Sequence, residues 1–254
     1  MPRPKNIHLA ARRVVLSKDA GGHATWIEQI TKKDVDPAAT ALIICDMWDK
    51  HWSRGATERV NALAPRMDAI VSALRKKGIT IIHAPSETLD FYESSPARQR
   101  MERIELIQPP IYIPPRYPPL PIDDSDGGSD TNQDHSEKPN DPVWRRQHPA
   151  IAIDENVDFI SDIGYEIYAL FKEKGIKHVL FAGVHTNMCV MGRSFAIKQL
   201  VGWGIDVMFV RDLTDAMYNP ALPPYVNHDE GTRLVVEYIE KFLCPTVTSD
   251  QVMA

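Results

Sequence analysis

What this 254-residue sequence lacks already removes several classes of protein. No apolar run approaches the length of a membrane span. Charges at Lys5, Arg12 and Arg13 break the N-terminal segment before it reaches the length of a signal peptide. Cysteine is scarce: Cys45, Cys189 and Cys244 are widely spaced, without a C-x-x-C pair. That argues against a disulfide framework or a zinc knuckle, and for a reducing, cytoplasmic location. The G-x-G-x-x-G, G-x-S-x-G, H-E-x-x-H and P-loop patterns are absent, which removes the commonest dinucleotide, serine-hydrolase, zincin and nucleotide-hydrolase readings. With a net charge of −5 and no basic face, neither nucleic acid nor membrane is an expected partner.

What is present is an ordinary globular composition, 43% hydrophobic and 25% charged, enough for one sizeable core. Residues 1–38 are mixed and read as an N-terminal arm, with a short edge strand at Arg13–Leu16. A single domain is expected over residues 39–254. Its first buried strand is the wholly apolar Ala41–Cys45, ending at Asp46. Thr57 to Lys77 has helical spacing, with Pro65 predicting a kink or a break. Further strands are predicted at Ile79–His83, Ala150–Ile153, Val179–Ala182, Ile205–Val210 and Pro245–Val247, and helices at Ser161–Lys174 and Asp229–Leu243. Strand and helix alternate, as in a three-layer α/β/α doubly wound parallel sheet of about six strands.

The composition changes at residues 108–142. Seven prolines between Pro109 and Pro121 precede a polar stretch carrying Asp123, Asp124, Asp126, Asp130, Asp134, Glu137 and Asp141, opposed only by Lys138. This reads as an insertion, stiff and then flexible, running out into solvent. An ordered lid over a site is the alternative.

Chemistry concentrates at Lys177–Met191. An apolar strand passes through Gly183 into a helical pattern from about Cys189 to Val201. A cysteine in a first helical turn faces unpaired N–H groups and the positive end of the macrodipole, which favour thiolate. The bland reading is a small buried hydrophobe. Asp46 lies where open α/β sheets place their ligands, at the carboxyl end of a parallel strand.

Ala41–Asp46 and the G-x-x-T-x-x-C-V run Gly183-Val184-His185-Thr186-Asn187-Met188-Cys189-Val190 resemble the isochorismatase-like cysteine hydrolases, which include nicotinamidases. The resemblance covers roughly residues 40–115 and 148–248. It implies a strand order of 3-2-1-4-5-6, Cys189 as nucleophile and Asp46 as base in thioester chemistry. It also implies a cis Val184–His185 peptide, an oxyanion hole from the backbone N–H groups of His185 and Cys189, and a homo-oligomer. The expected function is cleavage of a C–N bond in a small amide. The family's lysine is missing from the end of the third predicted strand, leaving Arg145, Arg146 or His148 as its replacement, with His148 the tentative third catalytic member. That gap motivates the alternative, a non-catalytic relative that binds a ligand or a partner. Trp48 and Trp52, beside Asp46, are candidates to wall a flat substrate. Nicotinamidase-like members hold a metal through Asp-x-His plus a second His, and Asp49, His51 and His83 are the candidates here for a zinc-type divalent metal. Asp212 is read as orienting a site residue or capping a turn.

Overall fold

The computed structural model describes residues 6–254. Met1 to Lys5, the start of the expected arm, lie outside the described residues. Ile7–Lys18 and Ala24–Val35 form β1 and β2, a twelve-by-twelve antiparallel hairpin in place of the short edge strand predicted at Arg13–Leu16. Ile7, Leu9, Ala11 and Val14 of β1 are buried, so β1 belongs to the core while β2 is almost wholly exposed.

The parallel strands are β3 (Thr40–Cys45), β4 (Thr80–Ala84), β5 (Phe159–Ile160), β6 (His178–Gly183), β7 (Asp206–Val210) and β8 (Thr246–Val247). The sheet has eight strands rather than about six, in the order β2-β1-β8-β7-β6-β3-β4-β5. This differs from the expected 3-2-1-4-5-6 because β1 pairs antiparallel with β8 at Arg12 and Thr246, so the hairpin extends that edge. The third parallel strand is also displaced, from Ala150–Ile153 to Phe159–Ile160. Side chains occupy the backbone groups that a ladder at 150–153 would need. Gln147 donates to the Ile151 carbonyl, Asp68 accepts the Ala152 N–H, and Arg75 donates to the Ala152 carbonyl.

Helices α1 (Arg54–Lys76), α2 (Pro96–Glu102), α3 (Gly164–Lys174), α4 (Cys189–Gly192), α5 (Ile197–Gly202), α6 (His228–Phe242) and α7 (Ser249–Met253) complete the chain. α1 runs unbroken through Pro65, where a kink or break is predicted. Proline inside a helix costs about 3 kcal/mol, whereas each large apolar side chain buried contributes roughly 1.5–3 kcal/mol. With Val60, Met67, Ile70, Val71 and Leu74 all buried on one face, burial outweighs the lost hydrogen bond. That face packs on Leu42 and Ile44 of β3, while Ala41, Ile43 and Cys45 face α3, α5 and α6. The two-residue period of β3 thus divides the core into two and makes three layers. No helix among the described residues is long and apolar enough to cross a membrane.

One glycine positions the site. Gly183 has φ +120, and a Cβ there would lie 2.0 Å from the Cys45 carbonyl oxygen. Only glycine lets the end of β6 press against the end of β3, which brings the 184–189 loop beside Asp46.

Candidate active site

Asp46 sits at the carboxyl end of β3 with φ 48, a left-handed conformation uncommon for a non-glycine residue. Its side chain is fully buried. One carboxylate oxygen accepts the Ser86 backbone N–H at 2.8 Å, and the other accepts Arg193 Nε at 3.0 Å. The Cys189 thiol lies close enough to the same carboxylate for each group's charge to act on the other. The Val184–His185 peptide is cis. Neither the backbone N–H of His185 nor that of Cys189 donates to a backbone oxygen among the described residues.

Burial pushes the Cys189 thiol well up and the charge of Asp46 pushes it further, with Arg193 opposing both. Burial also raises Asp46 above the usual carboxylate range, and Arg193, Ser86 and Cys189 draw it back only in part. The resting pair is therefore a thiol beside a carboxylate. This corrects the helix-dipole argument, because the helix expected from Cys189 to Val201 is two pieces, α4 of four residues and α5 of six. Arg193, extended at ψ 160, caps α4 and interrupts it. Four residues have too little aligned backbone for the dipole to overcome burial.

Arg193 is the cation that sequence reasoning missed. It lies four residues after Cys189, the spacing that puts two side chains on one side of a helical turn, and that spacing was the available signal. Besides Asp46 it binds Glu87 at 3.2 Å, and it lies 5.9 Å from the Trp48 ring centroid. The three candidates upstream do not reach the thiol. His148 Nε2 bonds Asn61 Oδ1 at 2.9 Å, Arg145 is exposed, and the Arg146 guanidinium covers the Phe91 ring at 4.8 Å.

Cys189, Arg193, Trp48, His51, Trp144 and His185 line a cavity of about 330 Å³, with Glu87 and Asn140 at its margin. Trp48 stacks on Trp144 at 4.2 Å and 12°. Trp52 does not line the cavity; it is buried behind it against Gly127, and Trp144 supplies the second aromatic wall. His51 is held down to about 4 by burial, with Asp134 opposing, so it is neutral. Its Nδ1 accepts the Ser53 N–H, which leaves the proton on Nε2. Burial also keeps His185 neutral, and its Nε2, like Trp144 Nε1, has no hydrogen-bond partner among the described residues.

Asp49, His51 and His83 do not fit a metal. Asp49 accepts the backbone N–H groups of Arg145 and Arg146. Both ring nitrogens of His83 are engaged, with Gln147 at 2.9 Å and Asp158 at 3.1 Å, and only His51 lines the cavity. No cluster of three or more His, Cys, Asp or Glu side chains placed to hold a metal ion occurs among the described residues. Asp212 accepts Ser249 and Arg66 at the start of α7, away from the site.

The acidic half of the insertion is ordered against the site rather than running out into solvent. Asp124 accepts from Asn187, Asp126 from Asn219, and Asp134 from the backbone N–H of Arg54 at the start of α1. Asp130 takes both ends of Arg59 at 3.0 and 3.1 Å, and Arg59 also holds Asp215 at 2.8 Å. His228 lies between the two carboxylates, 3.3 Å from Asp130 and 2.8 Å from Asp215. Burial alone would lower its pKa, but these two partners outweigh burial and the repulsion of Arg59 and raise it to about 9. A histidine raised above its ordinary value near 6.5 stabilises the fold fully below that value and loses the contribution as pH rises through the folded value. Backbone hydrogen-exchange protection over residues 123–135, taken relative to the intrinsic base-catalysed rate at each pH, is therefore expected to fall between pH 7 and pH 10, and His228→Gln to flatten that dependence. An unchanged pH dependence in the variant would break the assignment.

A family model described as Isochorismatase domain matches residues 40–221, more than half of the chain. The chain belongs to the isochorismatase family. Among solved structures, this family member is similar to a cysteine hydrolase from Pseudomonas syringae pv. phaseolicola 1448A, at 16% identity and TM-score 0.53, covering 86% of this chain and 92% of that one. It is also similar to an isochorismatase-like hydrolase from Alkaliphilus metalliredigens, at 16% identity and TM-score 0.49 over 84% and 94%. A third, an isochorismatase family protein from Burkholderia thailandensis, matches at 14% identity and TM-score 0.48 over 85% and 94%. At such identities the first likeness establishes the fold alone. No curated protein matches the sequence.

Proposed function

We propose that this isochorismatase-family chain is a cysteine hydrolase that cleaves a C–N bond of a small, flat, uncharged amide through a thioester on Cys189. The observation that carries the reading is the fully buried carboxylate of Asp46, bound by Arg193 and acting on the Cys189 thiol beside the cavity. Passing the thiol proton to Asp46 moves the negative charge from oxygen to sulfur without changing the total beside Arg193. The high pKa of the thiol is thus offset at the moment of attack by a base of raised pKa.

The thiolate attacks the carbonyl carbon, and the oxyanion that forms takes the backbone N–H groups of His185 and Cys189. Asp46 returns its proton to the leaving nitrogen, the C–N bond breaks and an amine departs. Water then gives a proton to Asp46 and its oxygen to the thioester carbon. The C–S bond breaks, Asp46 reprotonates sulfur, and a carboxylic acid leaves. A cavity of about 330 Å³ suits a small molecule, and its aromatic walls favour a planar one.

The binding-only alternative draws its support from the missing lysine, and Arg193 now supplies a cation beside Asp46. The deciding experiment incubates the protein with a panel of small primary and N-substituted amides, following amine release and the intact mass. A stoichiometric acyl adduct on the peptide carrying Cys189 is expected. Saturable binding with neither adduct nor product throughout the panel would favour the binding-only reading. On a substrate found in this way, Trp144→Ala is expected to raise KM about tenfold, the scale of one lost aromatic contact, while kcat holds within a factor of a few. A fall in kcat alone would remove Trp144 from the substrate wall.

A further inference from the structure

We propose that β2 is a docking edge for a second copy of this chain, two β2 strands pairing antiparallel about a twofold axis perpendicular to the sheet at Ile30. β2 ends the strand order and pairs only with β1. Its register with β1 is continuous over twelve residues, Ile7 opposite Val35 through to Lys18 opposite Ala24. At about 3.4 Å per residue the free edge is roughly 40 Å long, beyond the usual strand length of about 3–10 residues.

Monomeric proteins blunt such an edge with charged side chains, a proline, a bulge, a short strand or a covering segment, and of these β2 carries only charges, Glu28, Lys32, Lys33 and Asp34. β2 contains no proline, its pairing has no bulge, and no strand among the described residues lies outside it. It is instead apolar at intervals: Ile30 is 61% exposed, Ile27 44% and Trp26 43%.

The sequence names the occupant. Glu28-Gln29-Ile30-Thr31-Lys32 reads as its own charge complement about Ile30. In that register Glu28 meets Lys32 of the second copy, Lys32 meets Glu28, Ile30 meets Ile30 and Gln29 meets Thr31. No like charges face each other, and opposite charges directly across a ladder stabilise it. Sliding by one step of two residues either sets Glu28 against Asp34 or leaves it opposite Ile30. Only the Ile30-centred register pairs every charge of the central five residues. Because β1 is anchored in the core through Ile7, Leu9, Ala11 and Val14, the edge is presented ready-made and little ordering is needed on association. The homo-oligomer that the family resemblance implies would then form through the N-terminal hairpin, and the catalytic proposal is independent of it.

Sedimentation velocity of the full chain is expected to show a dimer at micromolar concentration. Lys32→Glu faces Glu28 of the second copy twice over and is expected to weaken the dimer about tenfold or more. Glu28→Lys combined with Lys32→Glu is expected to restore it. In a Cys189→Ala background, Ile30→Cys is expected to cross-link under mild oxidation, whereas Gln29→Cys and Thr31→Cys, each facing a different residue, are not. A monomer at all concentrations would overturn the proposal. So would a dimer unmoved by Lys32→Glu, a double variant as weak as the single, or an Ile30→Cys protein that fails to cross-link.

Discussion

Cys189→Ala is expected to lower turnover of any amide this chain hydrolyses by about 10⁴-fold or more, leaving only what binding and the oxyanion site contribute. No other thiol can substitute. Cys45 is buried inside β3 and Cys244 is buried just past α6, and neither lines the cavity. Alanine fits without overpacking, so the variant should melt near the parent, and loss of activity can be read as chemistry. Asp46→Asn is the companion: it keeps the shape, cannot take the thiol proton, and removes the negative charge that raises the thiol. Its thiol should alkylate more readily with iodoacetamide while turnover falls. That opposite movement is what a shared-proton pair requires and what a structural role for Asp46 would not produce. Full turnover in Cys189→Ala, with folding intact, would end the proposed mechanism.

Arg193→Met should have the second largest effect. Arg193 opposes the buried charge of Asp46 and lowers both Asp46 and Cys189 from where burial would put them. Removing one partner of a buried ion pair typically costs about 3–5 kcal/mol. Here the carboxylate can escape by taking a proton, which removes the base. Stability is therefore expected to fall by less than that range while activity falls about 100-fold, and the acidic limb of the pH–rate profile should move up by roughly one to three units. Arg193→Lys should recover part of the rate, since the charge returns without the fork that holds Asp46 and Glu87 together. In the Asp46→Asn/Arg193→Met double variant the stability losses should be less than additive, because each single change already removes the Asp46–Arg193 ion pair and that pair can be lost only once. An acidic limb that stays in place in Arg193→Met would show that the cation acts elsewhere.

The way the pieces divide between sequence and structure follows from the range of the interactions involved. β3 and β6 are legible because continuous apolar runs bounded by polar residues have one economical fate in an α/β chain, burial on both faces of a parallel sheet. The placement of Asp46 and Cys189 at neighbouring strand ends follows from that, and Gly183 is the residue that permits the close approach. α3 and α6 are legible from their helical spacing; the structure closes α3 at Gly175 in the left-handed conformation and caps the start of α6 with Asn227.

What local pattern could not carry was decided between distant segments. The run Ala150–Ile153 alternates like a strand, yet Gln147, Asp68 and Arg75 claim its backbone. Pro65 should interrupt α1, yet burial of the face around it holds the helix together. The acidic segment looks solvated because its partners Arg59, Arg54, Asn187, Asn219 and His228 are scattered over the chain and meet only in three dimensions.

The sequence by itself determined the family, the parallel α/β core and the positions of Asp46 and Cys189, because these rest on periodicity and on short runs of contiguous residues. Only the tertiary structure decided which cation meets Asp46, which tryptophan walls the cavity with Trp48, and that the hairpin carries a long open edge. Each of those depends on two segments approaching through space, and charge pairing, aromatic packing and strand register are not fixed by the local pattern of either segment alone.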